Sequence, residues 1–145
     1  MSKFVWQFVV EWDETKTSWA DFRGTGLGPT DPVDAPPSSL RGQIAAQWQS
    51  LGLPGPCDVG DNGVHASASP FEAMAERCNW LRGTITTDPF GKAAIAAGVP
   101  VATLADWSVD PQVVYDGKKS SLFDLVEDMD SSECIVKLVD IYKQQ

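Results

Sequence analysis

The sequence is poor in the residue types that carry most chemistry. It has one histidine, His65, and three cysteines, Cys57, Cys78 and Cys134. An odd cysteine count without metal-type spacing argues against a disulfide scaffold and against a Cys/His zinc site. A reduced, cytoplasmic protein is expected. Positive charge is also scarce, with 11 Lys and Arg against 20 Asp and Glu, a formal net charge of −9. That balance excludes an enclosing nucleic-acid groove and an anionic membrane surface, both of which call for a positive field. No apolar run reaches the ~18 residues of a membrane helix. No continuous apolar stretch of secretory type follows Lys3. The glycine patterns of phosphate loops and dinucleotide folds are missing, and there is no internal repeat.

What is present suffices for one α+β domain over residues 1–145. Hydrophobic residues make up 43%, and six Trp and six Phe can fill one core without staples. Residues 4–12 are aromatic and β-branched without Gly or Pro, which predicts a buried strand. Ser18 is placed to cap a short helix over Trp19, Ala20, Asp21 and Phe22. Residues 24–39 hold four Pro and three Gly and read as an ordered loop. A helical patch follows at 42–50, then a loop at 51–61 and a short strand at 63–67. Ser69 opens the clearest helix, 70–82, with Pro70 in the first turn and Glu72 completing a capping box. Residues 82–111 read as an irregular connection, apart from an Ala-rich helix near 91–97 ended by Gly98. A strand at 112–115, a turn at Asp116-Gly117, a helix at 121–129 and a strand at 133–142 complete the chain.

A single histidine is as a rule structural, but the surroundings of His65 differ. Ala66, Ser67, Ala68 and Ser69 are small and leave the imidazole facing open space. The helix start that follows offers unpaired N–H groups and a partial positive charge, which suit a phosphate. Glu76 lies on that helix, eleven residues on, where it can fix one ring nitrogen and leave the other as a nucleophile. Thr30 offers a hydroxyl, and Arg41 a planar fork for phosphate oxygens. By composition alone a plain surface loop stiffened by Pro and Gly is the favoured account of Thr30 and Arg41. The acidic run Glu127-Asp128-Met129-Asp130 reads as a solvated helix end, and no metal-ligating residues are assigned.

Two segments together resemble the nucleoside diphosphate kinase family. Gly28-Pro29-Thr30-Asp31-Pro32 with Leu40-Arg41-Gly42 is similar to the family's Gly-x-Thr-Asn/Asp-Pro loop and its Ile-Arg-Gly. Asn62-Gly63-Val64-His65-Ala66-Ser67-Ala68-Ser69 is similar to its Asn-x-x-His-Gly/Ala-Ser-Asp-Ser signature, with Ala68 replacing the Asp. Glu76 falls at the family's Glu. The resemblance implies a phosphoryl transfer from a nucleoside triphosphate to a diphosphate through a phosphohistidine at His65, with Mg²⁺ on the nucleotide. It implies Glu76 as the orienting partner, and Thr30, Arg41, Asn62 and Ser67 as nucleotide or phosphate ligands. Homo-oligomers are compatible with it.

The family's Lys-Pro-Asp segment has no match here. Its second Arg falls at Gly24, one position from Arg23, and residues 43–61 are longer than its connection. The fold implied is a ferredoxin-like sheet with helices on one face. One arrangement that reconciles the missing first half is circular permutation, with 112–142 supplying it from the C-terminal side. The alternative function is a non-catalytic nucleotide- or protein-binding module that keeps the fold.

Overall fold

A computed structural model describes residues 5–145. Its helices are α1 (Trp19–Asp21), α2 (Leu40–Gln47), α3 (Pro70–Trp80), α4 (Pro89–Ala96), α5 (Val101–Trp107), α6 (Leu122–Val126) and α7 (Ser131–Lys143). Strands β1 (Gln112–Tyr115) and β2 (Lys118–Ser121) form an antiparallel pair, so the class is α+β. Among the described residues no helix is long and apolar enough to cross a membrane.

The helix starts follow local capping chemistry. The hydroxyls of Ser18, Ser39, Ser69 and Ser121 each accept a first-turn N–H of α1, α2, α3 and α6. Asp88 does the same for α4, accepting from Phe90 and Gly91, and it also pairs with Arg77 of α3 at 2.7 Å. After α1 the chain widens into a π-helical turn over Phe22–Leu27, which ends at Gly28 with φ 95°. Only glycine takes that conformation without strain. Gly42 meets a second constraint: a Cβ there would lie 2.2 Å from the Pro36 carbonyl oxygen, so the loop can close on α2 only over a bare backbone.

The hydrophobic core is built from residues 71–141. Phe71 and Met74 of α3, Leu104 and Trp107 of α5, Val113 of β1, Leu122 and Val126 of α6, and Cys134, Leu138 and Ile141 of α7 all belong to it. In the first half of the chain Trp19 and Leu27 are also buried, and Trp12 is stacked on Phe22 at 4.5 Å.

Several expectations are corrected. Residues 133–142 are helical, not a strand. Their buried side chains, Cys134, Leu138 and Ile141, recur at helical spacing, and packing on the core overrides the β-branched composition. Within residues 82–111 the expected helix near 91–97 is α4, but a second helix, α5, stands where an irregular connection is expected. Among the described residues, 63–67 have no strand partner, and neither do residues 5–12; residue 4 of that expected strand lies outside the described residues. The sheet therefore holds two strands, where a ferredoxin-like layer needs four. The permuted arrangement loses its closing strand to α7. The 112–115 strand and the Asp116-Gly117 turn agree with expectation. Positive φ at both turn residues, 49° and 72°, makes the tight hairpin that the right-handed twist of paired strands favours.

Candidate functional site

His65 sits in an extended loop just before α3, and its side chain is 68% exposed. The α3 cap fixes this loop. Ser69 accepts from the Glu72 N–H at 3.1 Å, and the Glu72 carboxylate reaches back to the Ala68 N–H at 2.7 Å. One turn further along α3, Glu76 points back over the loop. Its Oε1 lies 2.8 Å from His65 Nε2, and its Oε2 accepts from the Ser67 hydroxyl.

An ionised carboxylate can only accept, so the neutral His65 ring carries its proton on Nε2 and presents Nδ1 as the lone-pair nitrogen. The hydrogen bond to Glu76 raises the His65 pKa above its ordinary value, against the opposing effect of partial burial. The same bond holds the Glu76 carboxyl below its usual range, again against burial. Burial raises the pKa of Glu72, and the neighbouring Glu76 charge adds to this.

The other expected residues fall around the same loop. Arg41, nearly buried, donates from Nη1 to the Gly28 carbonyl at 2.8 Å and from Nη2 to the Val64 carbonyl at 3.0 Å. It thereby ties the 28–30 loop to the residue preceding His65. Asn62 donates to the Thr30 carbonyl at 3.1 Å, a second tie between the same two loops. Thr30 is exposed. The structure thus brings together His65, Glu76 and Ser67 directly, and Thr30, Arg41 and Asn62 through backbone carbonyls. Two concavities lie away from this loop. A groove of about 760 Å³ runs along α7, and a smaller one of about 270 Å³ lies within residues 53–61.

Arg23 enters the neighbourhood without a strong sequence signal. Its Nη1 lies 2.8 Å from Glu127 and 2.5 Å from Asp128, residues that the sequence reads as a solvated run. Its Nε is buried without a partner among the described residues. Burial acts to lower the Arg23 pKa, but the two carboxylates outweigh it and the net shift is upward. Arg41 shifts downward, chiefly through burial and then through the positive charge of Arg23. A separation of more than 100 residues in sequence hides such a pairing from any local reading.

The ligand-type atoms of His65, Glu72 and Glu76 lie within 4.8 Å of one another. Each is already engaged: His65 and Ser67 on Glu76, and the Ala68 N–H on Glu72. No protein-family model matches the chain, and no curated protein or solved structure is significantly similar to it.

Proposed function

We propose that the chain is a phosphotransferase of nucleoside diphosphate kinase type, working through a phosphohistidine at His65. The observation that carries this reading is the His65–Glu76 pair, 2.8 Å apart on an exposed ring, in which the neutral imidazole keeps its proton on Nε2 and leaves the Nδ1 lone pair free. In the first half-reaction the Nδ1 lone pair attacks the terminal phosphorus of a nucleoside triphosphate. The N–P bond forms as the bond from that phosphorus to its bridging oxygen breaks, and the diphosphate leaves with the electron pair. A second diphosphate then takes the phosphoryl group by the reverse step. Throughout, Glu76 keeps the proton on Nε2 and opposes the positive charge that the ring gains, while Ser67 fixes the carboxylate.

Thr30 and Asn62 would position the nucleotide at the rim of the same loop pair. Mg²⁺ would arrive on the phosphates as part of the substrate. The carboxylates of Glu72 and Glu76 are engaged by the loop and give the ion no open cage of oxygen ligands. The unpaired Cys57, Cys78 and Cys134 support a reducing, cytoplasmic setting. The reading rests on the loop and helix around His65 and does not need a ferredoxin-like sheet.

A second reading, a nucleotide- or protein-binding module without turnover, is favoured by one specific observation. Both nearby guanidinium groups are committed within the chain, Arg41 to carbonyls and Arg23 to carboxylates. Incubation with γ-labelled ATP separates the two. The kinase reading expects label that is acid-labile and alkali-stable, discharged by added diphosphate, and lost in His65→Ala while nucleotide binding by calorimetry persists. Binding without label supports the module. Absence of both in the intact protein overturns the kinase reading and the nucleotide-binding form of the module.

A further inference from the structure

We propose that residues 5–10 are a self-pairing strand through which two copies of the chain form an antiparallel dimer. The inference is independent of phosphoryl transfer. This segment is the most exposed apolar stretch of the molecule, with Trp6 at 87%, Phe8 at 82% and Val5 at 77% exposure. Val9 and Val10 are also exposed. Its composition is that of a sheet interior, yet its backbone makes no hydrogen bond to any described residue. A contiguous exposed patch of this kind marks an interaction surface, and an extended run with free N–H and C=O groups is suited to strand addition.

Charge selects a second copy and sets the direction. Residues 5–10 carry no charge at all, with Gln7 as the one polar side chain. On a chain of net charge −9, two copies repel each other least where their contact is neutral. Parallel in-register pairing would set Glu11 against Glu11 and Asp13 against Asp13. Antiparallel pairing centred on Phe8 avoids both. It places Phe8 opposite Phe8, Gln7 opposite Val9, Trp6 opposite Val10 and Val5 opposite Glu11. Like charges then lie apart.

The pleat adds a second argument. Side chains two residues apart share a face, so Trp6, Phe8 and Val10 of both copies form one apolar face. By the same alternation that face continues to Trp12, which is already packed on Trp19 at 4.8 Å and on Phe22 at 4.5 Å. An isolated two-stranded ribbon is marginal in water, and this aromatic platform supplies the layer that it needs to pack on.

Analytical ultracentrifugation of the full chain tests the proposal, with circular dichroism to report that the helices are intact. The intact protein is expected to sediment as a dimer. Phe8→Lys and Phe8→Glu, each alone, are expected to be monomeric with unchanged helix content, because like charges then face each other. An equimolar mixture of the two variants is expected to restore the dimer. A monomeric intact protein overturns the proposal, as does a dimer that survives both substitutions. Failure of the mixture to re-associate overturns the pairing about Phe8.

Discussion

At His65 one neighbour decides the position of a proton, and through it a pH dependence. The hydrogen bond to Glu76 holds the His65 pKa above 6.5 in the folded chain. The contribution of the imidazolium to stability is therefore full below the unfolded value and is lost as the pH rises through the raised one. The Glu76 pKa lies below 4.5 through the same bond, so its contribution is full above that value and is lost as the pH falls through the depressed one. The two windows overlap between 4.5 and 6.5, where the pair stabilises most. Because the His65 side chain is 68% exposed, solvent screening holds the effect to about 0.5 kcal/mol. Glu76→Gln should flatten this part of the pH–stability profile and move the His65 titration, followed by NMR, back toward 6.5. An unmoved His65 titration would refute the pair. This much of the site is legible in the sequence because Ser69, Pro70 and Glu72 fix where α3 begins, and the start of a helix fixes which later residue turns back over the preceding loop. The tie from Arg41 to the Gly28 and Val64 carbonyls is not legible. An arginine in a loop reads the same whether its fork meets a phosphate or a peptide oxygen.

Element by element, the chain is readable where local chemistry decides and unreadable where packing does. The caps at Ser18 and Ser69 and the Asp116-Gly117 turn act within a few residues, and each appears where the sequence puts it. In contrast, the run Cys-Ile-Val-Lys-Leu-Val-Asp-Ile-Tyr at 134–142 has the composition of a strand and becomes α7. The discriminating signal was the period: Cys134, Leu138 and Ile141 are fully buried while Val136 is 69% exposed. A strand would put 134, 136 and 138 on one face, whereas a helix turns 136 away from the other two. Leu138→Ala should cost about 2–5 kcal/mol in denaturant unfolding through its lost burial and the cavity it leaves. Val136→Ala should stay within about 0.5 kcal/mol of the parent, since it removes surface already in water and replaces a β-branched residue in a helix. Equal losses at the two positions would contradict the helical face. Residues 5–12 show the opposite case. Their alternation is legible, but a strand is defined by its partner, and none of the described residues is one.

Across the whole molecule stability is unevenly distributed. Every member of the hydrophobic core cluster lies between Phe71 and Ile141, and the half that carries His65 is tied to that body by polar contacts, those of Glu72 and Glu76 to the 65–68 loop and a further set to one short stretch, 127–131. Asp130 accepts from the Trp19 N–H at 2.7 Å, Glu14 accepts from the Ser131 hydroxyl at 2.6 Å, and the Asp128 N–H donates to the Ala68 carbonyl at 2.9 Å. Arg23 grips Glu127 and Asp128 beside them. Such an arrangement predicts local opening, with residues 14–66 separating from the helical body before the body unfolds. Asp130→Ala isolates this effect. Asp130 precedes α7 but makes no side-chain hydrogen bond to its first turn, so the substitution removes the tether to Trp19 without removing a side-chain cap from the helix. A hydrogen bond to a charged acceptor contributes about 1.5 kcal/mol or more, and its loss should speed amide exchange across residues 14–66 about tenfold. Amides of α3 and α7 should keep their protection, because the apolar contacts among Phe71, Met74, Cys134 and Leu138 are untouched. Uniform acceleration along the chain would show one cooperative unit in place of two levels of stability. No acceleration at all would show that the aromatic packing of Trp12, Trp19 and Phe22, with no help from Asp130, holds the His65 loop in place.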